Sequence, residues 1–488
     1  MNLRGWGRRA GLVGLLAVAL GATACKGMSG EKEGAAGSGG AAPSTGPIKV
    51  GHYASLTGNE ATFGVSTDNG IRLAVEERNA AGGVKGRKIE LKTLDTASQA
   101  AQGGTVVTRL ISQDKVVAVL GEVASSISLA GGQVAQQLGV PMISPSSTNL
   151  KVTAIGDKIF RVCFTDDFQA YVIAKFLRDD LKLDRVAILH DQQQAYSKGL
   201  ADDFRKIFVE LGGTIAGDQT YTGGNPDVSA QLQTIKSAGA QAVFLPGYYT
   251  DAGNYMQQAK KMGLTVPFLG GDGWDSAELI KIAGDAIEGS YYSNHYSHQD
   301  ERPEVQKFVA TYKAKFGAVP DGLAALGYDA ARVLFDAMER APSLGGADLA
   351  AAIAATKDFP GVTGAITIDG NRNAQKKAVI LQVKDGVPTY VTSIWPKGMA
   401  PADDAAAGSG DGSAAAAGSA DGSAAAAPAD GSAAPLGLQG GLGGGGDGTG
   451  AGDGEGGGMG RGKGTGMGKA DRKAEPLPTK MDPDDGGE

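Results

Sequence analysis

The chain has 488 residues, a formal net charge of −7 and a pI near 5.3. That length allows two or three domains, and the mild acidity, with no basic run interleaved with aromatics, excludes a nucleic-acid binder, which would show a basic face. Two cysteines in the whole chain cannot build a disulfide framework, so a large apolar core must hold the fold.

Residues 1–25 read as a secretory leader. Arg4, Arg8 and Arg9 precede an apolar segment from Gly11 to Leu20, and Ala22-Thr23-Ala24-Cys25 follows. The apolar stretch is too short to span a bilayer as a mature helix. The small-small-Cys ending resembles a bacterial lipobox, in which the cysteine is lipidated and becomes the first mature residue. Ala22 stands where leucine is usual, and an ordinary cleaved signal with an incidental cysteine is the alternative. The resemblance implies lipidation at Cys25 and a lipid anchor in a membrane. Residues 26–46 are Gly, Ala, Ser and Lys/Glu and read as a flexible tether.

From Ile48 strands alternate with helices. Strand-like runs fall at 48–54, 88–95, 116–122, 141–145, 184–191, 241–248 and 267–271. Between them lie stretches with apolar residues at helical spacing, such as Val305, Phe308, Val309, Tyr312 and Phe316 behind Pro303. This alternation predicts an α/β fold with mostly parallel sheets, and there are enough units for two Rossmann-like lobes. Cys163, in an apolar run from Ile159 to Phe164, reads as a buried structural thiol. Residues 364–396 read as short strands joined by turns at Asp369-Gly370 and Asp385-Gly386. Beyond them, residues 399–488 form a low-complexity Gly/Ala/Ser/Asp tail, with DGSAAAA at 411–417 and again at 421–427, predicted to be disordered.

No G-x-S-x-G elbow, Walker A loop or strand-borne G-x-G-x-x-G occurs in the folded region. His295 and His298 form an H-x-x-H pair without an acidic ligand motif, so no metal and no cofactor is expected. In open parallel sheets ligands sit at the carboxyl ends of strands. The loops there carry Ser125, then Ser146, Ser147 and Thr148, then Tyr196, Tyr248, Asp272 and Trp274, with Phe63 following the first strand's loop. Hydroxyls and helix N-termini suit a carboxylate. Asp272 suits an ammonium, and the aromatics wall an apolar compartment. Together they describe a site for a small zwitterion with an apolar side chain. Helix capping is the alternative for Ser125, Ser146, Thr148, Asp272 and Asp275.

The order of motifs resembles the type I periplasmic binding proteins of the leucine/isoleucine/valine-binding class. The motifs are IKVGHYASLTG (48–58), NGIRLAVEERNAAGGVKGRKIEL (69–91), VLGEVASSIS (119–128), VPMISPSSTN (140–149), IFRVCFTDDFQ (159–169), DQQQAYSKGLADDF (191–204), LPGYYTDAGNYMQQAKKMGL (245–264) and LGYDAARVLFDAME (326–339). The resemblance covers 48 to about 396. It implies two lobes joined by a three-strand hinge. One lobe would comprise 47–165 and 296–372, the other 166–295 and 373–398, with chain crossings near 165–167, 294–297 and the 370s. It implies that Ser125 and Thr148 hold an α-carboxylate, that the backbone carbonyl of Ser146 faces the ammonium, and that Asp272 is the ammonium's acidic partner, usually Glu. Tyr196, Tyr248 and Phe63 match pocket aromatics, and Asp166 is a further candidate at the lobe crossing. Ser146 and Ser147 replace small apolar residues, which makes the pocket more polar. The function implied is non-enzymatic: a monomeric, membrane-anchored lipoprotein of the periplasm or cell envelope. It would deliver a branched-chain or aliphatic amino acid to the permease of an ABC importer. A ligand-sensing receptor subunit for amino acids or small amides is the alternative.

Overall fold

The first strand, β1 (Ile48–Ala54), is buried along its length except at Lys49, as a central strand of a parallel sheet must be. In the computed structural model the described residues are 46–399 apart from Lys397. The leader with Cys25, the tether before Gly46 and the tail after Met399 lie outside them.

The first lobe starts β1, α1 (Ala61–Ala80), β2 (Ile89–Asp95), α2 (Ala100–Ser112), β3 (Ala118–Leu120), α3 (Ser125–Gln137), β4 (Met142–Ser144) and β5 (Ile159–Arg161). Its strands form one parallel sheet in the order β2-β1-β3-β4-β5. The second lobe follows with α4 (Asp166–Lys175), β6 (Arg185–Asp191), α5 (Ala195–Glu210), β7 (Thr214–Tyr221), α6 (Ser229–Ser237), β8 (Ala242–Phe244), α7 (Tyr249–Lys261), β9 (Phe268–Gly270), α8 (Ala277–Ala283) and β10 (Tyr291–Asn294). The chain then returns with α9 (Pro303–Phe316), α10 (Gly322–Arg340), α11 (Gly346–Ala354), β11 (Phe359–Gly361), β12 (Gly364–Ile368) and β13 (Ala374–Gln375), and ends in the hairpin β14 (Ala378–Lys384) and β15 (Val387–Ile394). The second sheet runs β15-β14-β10-β9-β8-β6-β7. β6 to β10 are parallel in it, and the hairpin adds an antiparallel edge. Asp385 and Gly386 both have positive φ, 51° and 71°, which suits the tight two-residue turn between β14 and β15.

The chain thus passes between the two sheets three times: after β5, after β10, and between β13 and β14. Lys376 lies in the last passage and ties it to the first, donating from Nζ to the Val162 carbonyl at 3.1 Å and to Thr363 Oγ1 at 2.5 Å. Burial lowers the Lys376 pKa to about 8.

Two apolar cores hold the lobes. One lies between the first sheet and α1, α9 and α10 and includes Ile48, Val50, Ile71, Leu326 and Leu334. The other fills the second lobe and continues to the α2/α3 face of the first sheet through Leu110, Val119 and Ile127. The motif beginning at Asn69 has a physical basis here. A Cβ on Gly70 would stand 2.0 Å from the Ala324 carbonyl oxygen, so only glycine lets α1 approach α10 this closely. Asn79 clasps the start of β2, accepting from the Ile89 N–H at 2.7 Å and donating to its carbonyl at 2.9 Å.

Besides the short β11, two strands, β7 and β10, fall outside the runs read from sequence. β7 is an edge strand with mostly half-exposed residues, and β10 has four residues ending in Ser-Asn. Neither offers the apolar run or clean alternation that marks a strand. Among the described residues no helix is long and apolar enough to cross a membrane.

Candidate functional site

The end of β4 and the loop after it hold Ser144, Ser146, Ser147 and Thr148, all buried, and their hydroxyls divide into two groups. Ser144 Oγ donates to the Glu122 carbonyl at 3.0 Å and accepts from the Ser147 N–H at 2.9 Å. Ser147 Oγ lies 3.0 Å from the Glu122 carbonyl, 2.8 Å from that of Val123 and 2.7 Å from Ser128 Oγ. These two serines stitch the loop to the end of β3 and the start of α3. By contrast, Ser146 Oγ and Thr148 Oγ1 make no well-formed hydrogen bond with the protein. Both line a small cavity of about 10 Å³, with Val123, Tyr196, Tyr248, Asp272, Gly273 and Leu323. Buried hydroxyls without partners are rare and ask for an explanation. A polar ligand group between them supplies one.

Asp272 faces them from the second lobe, on the turn after β9. Its Oδ1 accepts from Gln169 Nε2 at 2.9 Å, and its Oδ2 lies 2.9 Å from His295 Nε2. The His295 ring stacks on Phe164 at 3.7 Å. Burial lowers the His295 pKa, against the opposing pull of Asp272. A neutral ring that donates to a carboxylate through Nε2 must carry its proton there. Asp272 is therefore fixed by two donors, leaving its remaining lone pairs toward the cavity.

The wall is aromatic. Tyr196 and Tyr248 stack with centroids 5.3 Å apart and planes 3° from parallel. Phe63, on α1 of the first lobe, meets Tyr248 edge-on at 5.6 Å and Tyr249 at 4.9 Å. Tyr196 OH accepts from the Gly273 N–H at 3.2 Å, whereas Tyr248 OH has no well-formed partner.

Ser125 begins α3 without capping it by its side chain; its Oγ accepts from the Asn149 N–H at 3.4 Å. Asp166 begins α4, and its N–H donates to the Thr148 carbonyl at 3.0 Å. Burial, with Asp272 adding to it, pushes the Asp166 carboxyl well above the usual range, while the nearby Thr148 hydroxyl and Arg161 oppose the rise.

Of the expected ligand residues, Ser146, Thr148, Tyr196, Tyr248 and Asp272 line this cavity, and Ser125, Ser147, Phe63, Asp166 and Trp274 do not. Ser147 has the right chemistry, but its hydroxyl is committed to the carbonyls of Glu122 and Val123 and to Ser128, and it does not line the cavity. Trp274 is buried in the second lobe, with Nε1 donating to the Leu245 carbonyl at 3.1 Å. It faces a different, largely apolar cavity of about 290 Å³ that includes Ile287, Tyr292 and Leu381. The capping alternative for Asp275 also fails. Ser276 caps α8, and Asp275 reaches across to the Gly322 N–H at 2.6 Å.

The two lobes touch across the cleft. Thr250 Oγ1 donates to the Asn59 carbonyl at 2.9 Å, and Ser126 Oγ accepts from the Ala195 N–H at 3.0 Å. Asn149 Nδ2 donates to the Ala195 carbonyl at 2.8 Å.

Among the described residues no cluster of His, Cys, Asp or Glu has metal-site geometry. His298 lines the cavity beside Trp274 and shares no centre with His295. The Cys163 thiol is pushed up to about 12 by burial, which leaves it inert as a nucleophile.

Hydroxyls on one lobe, a carboxylate on the other and an aromatic wall between them thus meet at one cavity. A family model described as periplasmic binding protein matches residues 47–388. The chain belongs to the periplasmic binding protein family. The leucine-, isoleucine-, valine-, threonine- and alanine-binding protein of Pseudomonas aeruginosa is 33% identical over 296 residues, spanning 60% of this chain and 78% of that protein. The leucine-binding protein LivK of Thermotoga maritima superposes with a TM-score of 0.69 at 39% identity, over 72% of this chain and 99% of LivK. The branched-chain amino acid binding protein LivJ of Streptococcus pneumoniae, solved in complex with isoleucine, gives 0.68 at 33% identity, over 72% of this chain and all of that one (100%).

In this periplasmic binding protein, sequence reasoning missed Gln169, His295 and Leu323. Gln169 and His295 contact Asp272 rather than the cavity. His295 carried a signal, as one of four histidines, in the H-x-x-H pair read for metal. Gln169 and Leu323 carried none beyond lying inside or beside family motifs.

Proposed function

We propose that the protein is an extracytoplasmic solute-binding lipoprotein that captures a small amino acid, branched-chain or aliphatic, and presents it to the permease of an ABC importer. The observation that carries this reading is the opposition of Asp272 to the unpartnered hydroxyls of Ser146 and Thr148 around one small aromatic-walled cavity. In this reading Thr148 and Ser125 take the α-carboxylate. Asp272 takes the ammonium, helped by the Ser146 carbonyl, and Asp166 stands behind Thr148. Tyr196, Tyr248 and Phe63 enclose the side chain. The ligands named for the relatives support the same class.

The mechanism is selection of a closed arrangement. A ligand that contacts both lobes binds the closed form better and shifts the hinge equilibrium toward it. The permease then reads the joined surface of the two lobes. Lipid at Cys25 keeps the protein at the membrane, so Cys25→Ser should move it to the soluble fraction; a variant that stays with membranes would contradict the anchor.

A thermal-shift screen against the twenty amino acids, small amides and aromatic acids tests the ligand class. A true ligand at a hundred times its Kd adds about 2.7 kcal/mol of stability. Leucine, isoleucine or valine should raise the Tm most. No shift with any amino acid would sink the proposal.

A further inference from the structure

A further cavity of about 330 Å³ opens outside the site just described, between the same two lobes, and Tyr248 lines both. Three carboxylates face it: Glu60 from the first lobe, Asp191 and Asp251 from the second. None of the three is ion-paired among the described residues. Backbone groups orient them without neutralising them. Asp191 accepts from the Gln193 N–H at 2.8 Å and Asp251 from the Gly224 N–H at 3.1 Å. Two of the carboxylates converge: a Cβ on Gly223 would stand 2.7 Å from Asp191 Oδ2 and 3.4 Å from Asp251 Oδ2.

An independent observation points to a ligand. Tyr221 and Tyr248 are 2% and 8% exposed, and both line this cavity. Neither hydroxyl makes a well-formed hydrogen bond with the protein. The Tyr221 hydroxyl reaches toward Gly247, where a Cβ would stand 2.4 Å from it. Buried phenols beside uncompensated carboxylates are a donor–acceptor set that a cation completes. Burial pushes Glu60 up to about 7 and Asp251 up to about 6, with neighbouring carboxylates adding to both. A bound positive charge would relieve that strain. The carboxylates sit on separate elements, before α1, at the end of β6 and in the first turn of α7, and no described cluster has metal-ion spacing. The arrangement therefore fits an extended organic cation better than a metal ion.

Tyr248 is the wall shared by the two cavities, so a side chain turned past it from the proposed α-amino acid site would reach this vestibule. Resting on that reading of the inner site, we infer that the vestibule is a subsite for a terminal ammonium, so that the cleft accepts diamino acids of the lysine and ornithine class as well as aliphatic ones.

Calorimetry on the full chain with L-lysine and L-norleucine, its counterpart ending in a methyl group, tests the inference. Lysine should bind, and Asp251→Asn and Glu60→Gln should each weaken lysine by about tenfold, the size expected for one hydrogen bond to a charged group. Norleucine affinity should stay unchanged in both variants, which also reports that they fold. Norleucine binding without lysine binding overturns the subsite and leaves the inner site standing. Lysine affinity unchanged in both variants overturns it as well. Failure of both amino acids to bind overturns the inner-site reading, and this inference with it.

Discussion

Asp272 and His295 face each other at 2.9 Å, carboxylate Oδ2 to ring Nε2, both almost fully buried beneath the cleft. The pairing makes Asp272 a fixed acceptor rather than a mobile one, and its charge is the feature an ammonium would read. Asp272→Asn keeps the shape and removes the charge. Amino acid affinity should fall by about a hundredfold, the scale of leaving one member of a buried ion pair uncompensated. Wild-type affinity by calorimetry would remove Asp272 from the site.

Two neighbouring residues should separate stability from binding. Ser147→Ala deletes the hydroxyl that secures the loop to β3, and should cost about 1–3 kcal/mol of stability with affinity retained. Thr148→Val deletes a buried hydroxyl with no well-formed partner, so its stability should hold while affinity drops. Denaturant melts beside binding curves would show the split; a reversal of the two phenotypes would mean the hydroxyls have been assigned to the wrong roles.

Gly271 supports the pocket by having no side chain. A Cβ there would stand 2.3 Å from Tyr196 OH and 2.8 Å from Gln169 Oε1. Gly271→Ala should push the Tyr196 ring off Tyr248 and loosen Gln169 from Asp272, weakening every amino acid by about tenfold or more, as small misplacements in a positioned site do. Unchanged affinity would show that both side chains shift freely.

Glu60 gives a pH test. Its folded pKa, about 7, lies above the ordinary 4.5, so the native state holds more protons between those values and stability falls as pH rises through them. Asp251 acts in the same direction between 3.8 and about 6. His52, His190 and His295 act oppositely. Burial depresses each below 6.5, so they lose stability as pH falls below that value. The clean measurement is therefore a difference. The Tm of Glu60→Gln minus that of the wild type should grow from pH 5 to pH 8. A constant difference would show that Glu60 titrates normally.

The strand–loop–helix order placed Thr148, Tyr196, Tyr248 and Asp272 near one cleft because loop position follows from strand position in a parallel sheet. It did not distinguish Ser147 from Thr148. Adjacent residues of like chemistry point different ways according to carbonyls on Glu122 and Val123, more than twenty positions away. Trp274 misled for a related reason. Within the short helical turn from Asp272 to Trp274, the two residues line different cavities. Gln169 and His295 were hidden because they bond to Asp272 from 103 and 23 residues away. β7 was hidden because an edge strand needs little apolar alternation.

The bonds that join the lobes, Thr250 to Asn59, Ser126 to Ala195 and Asn149 to Ala195, lie outside the inner cavity around Ser146, Thr148 and Asp272, so they do not distinguish one aliphatic solute from another. Every ligand that closes the cleft gains them equally. They act as a common gain setting: strengthening or weakening them scales all affinities by one factor and leaves the ranking of ligands untouched. Ser126→Ala should thus dim the response to every aliphatic solute alike, and a lineage of this protein can retune sensitivity to scarcity at the rim without rewriting what the inner pocket prefers.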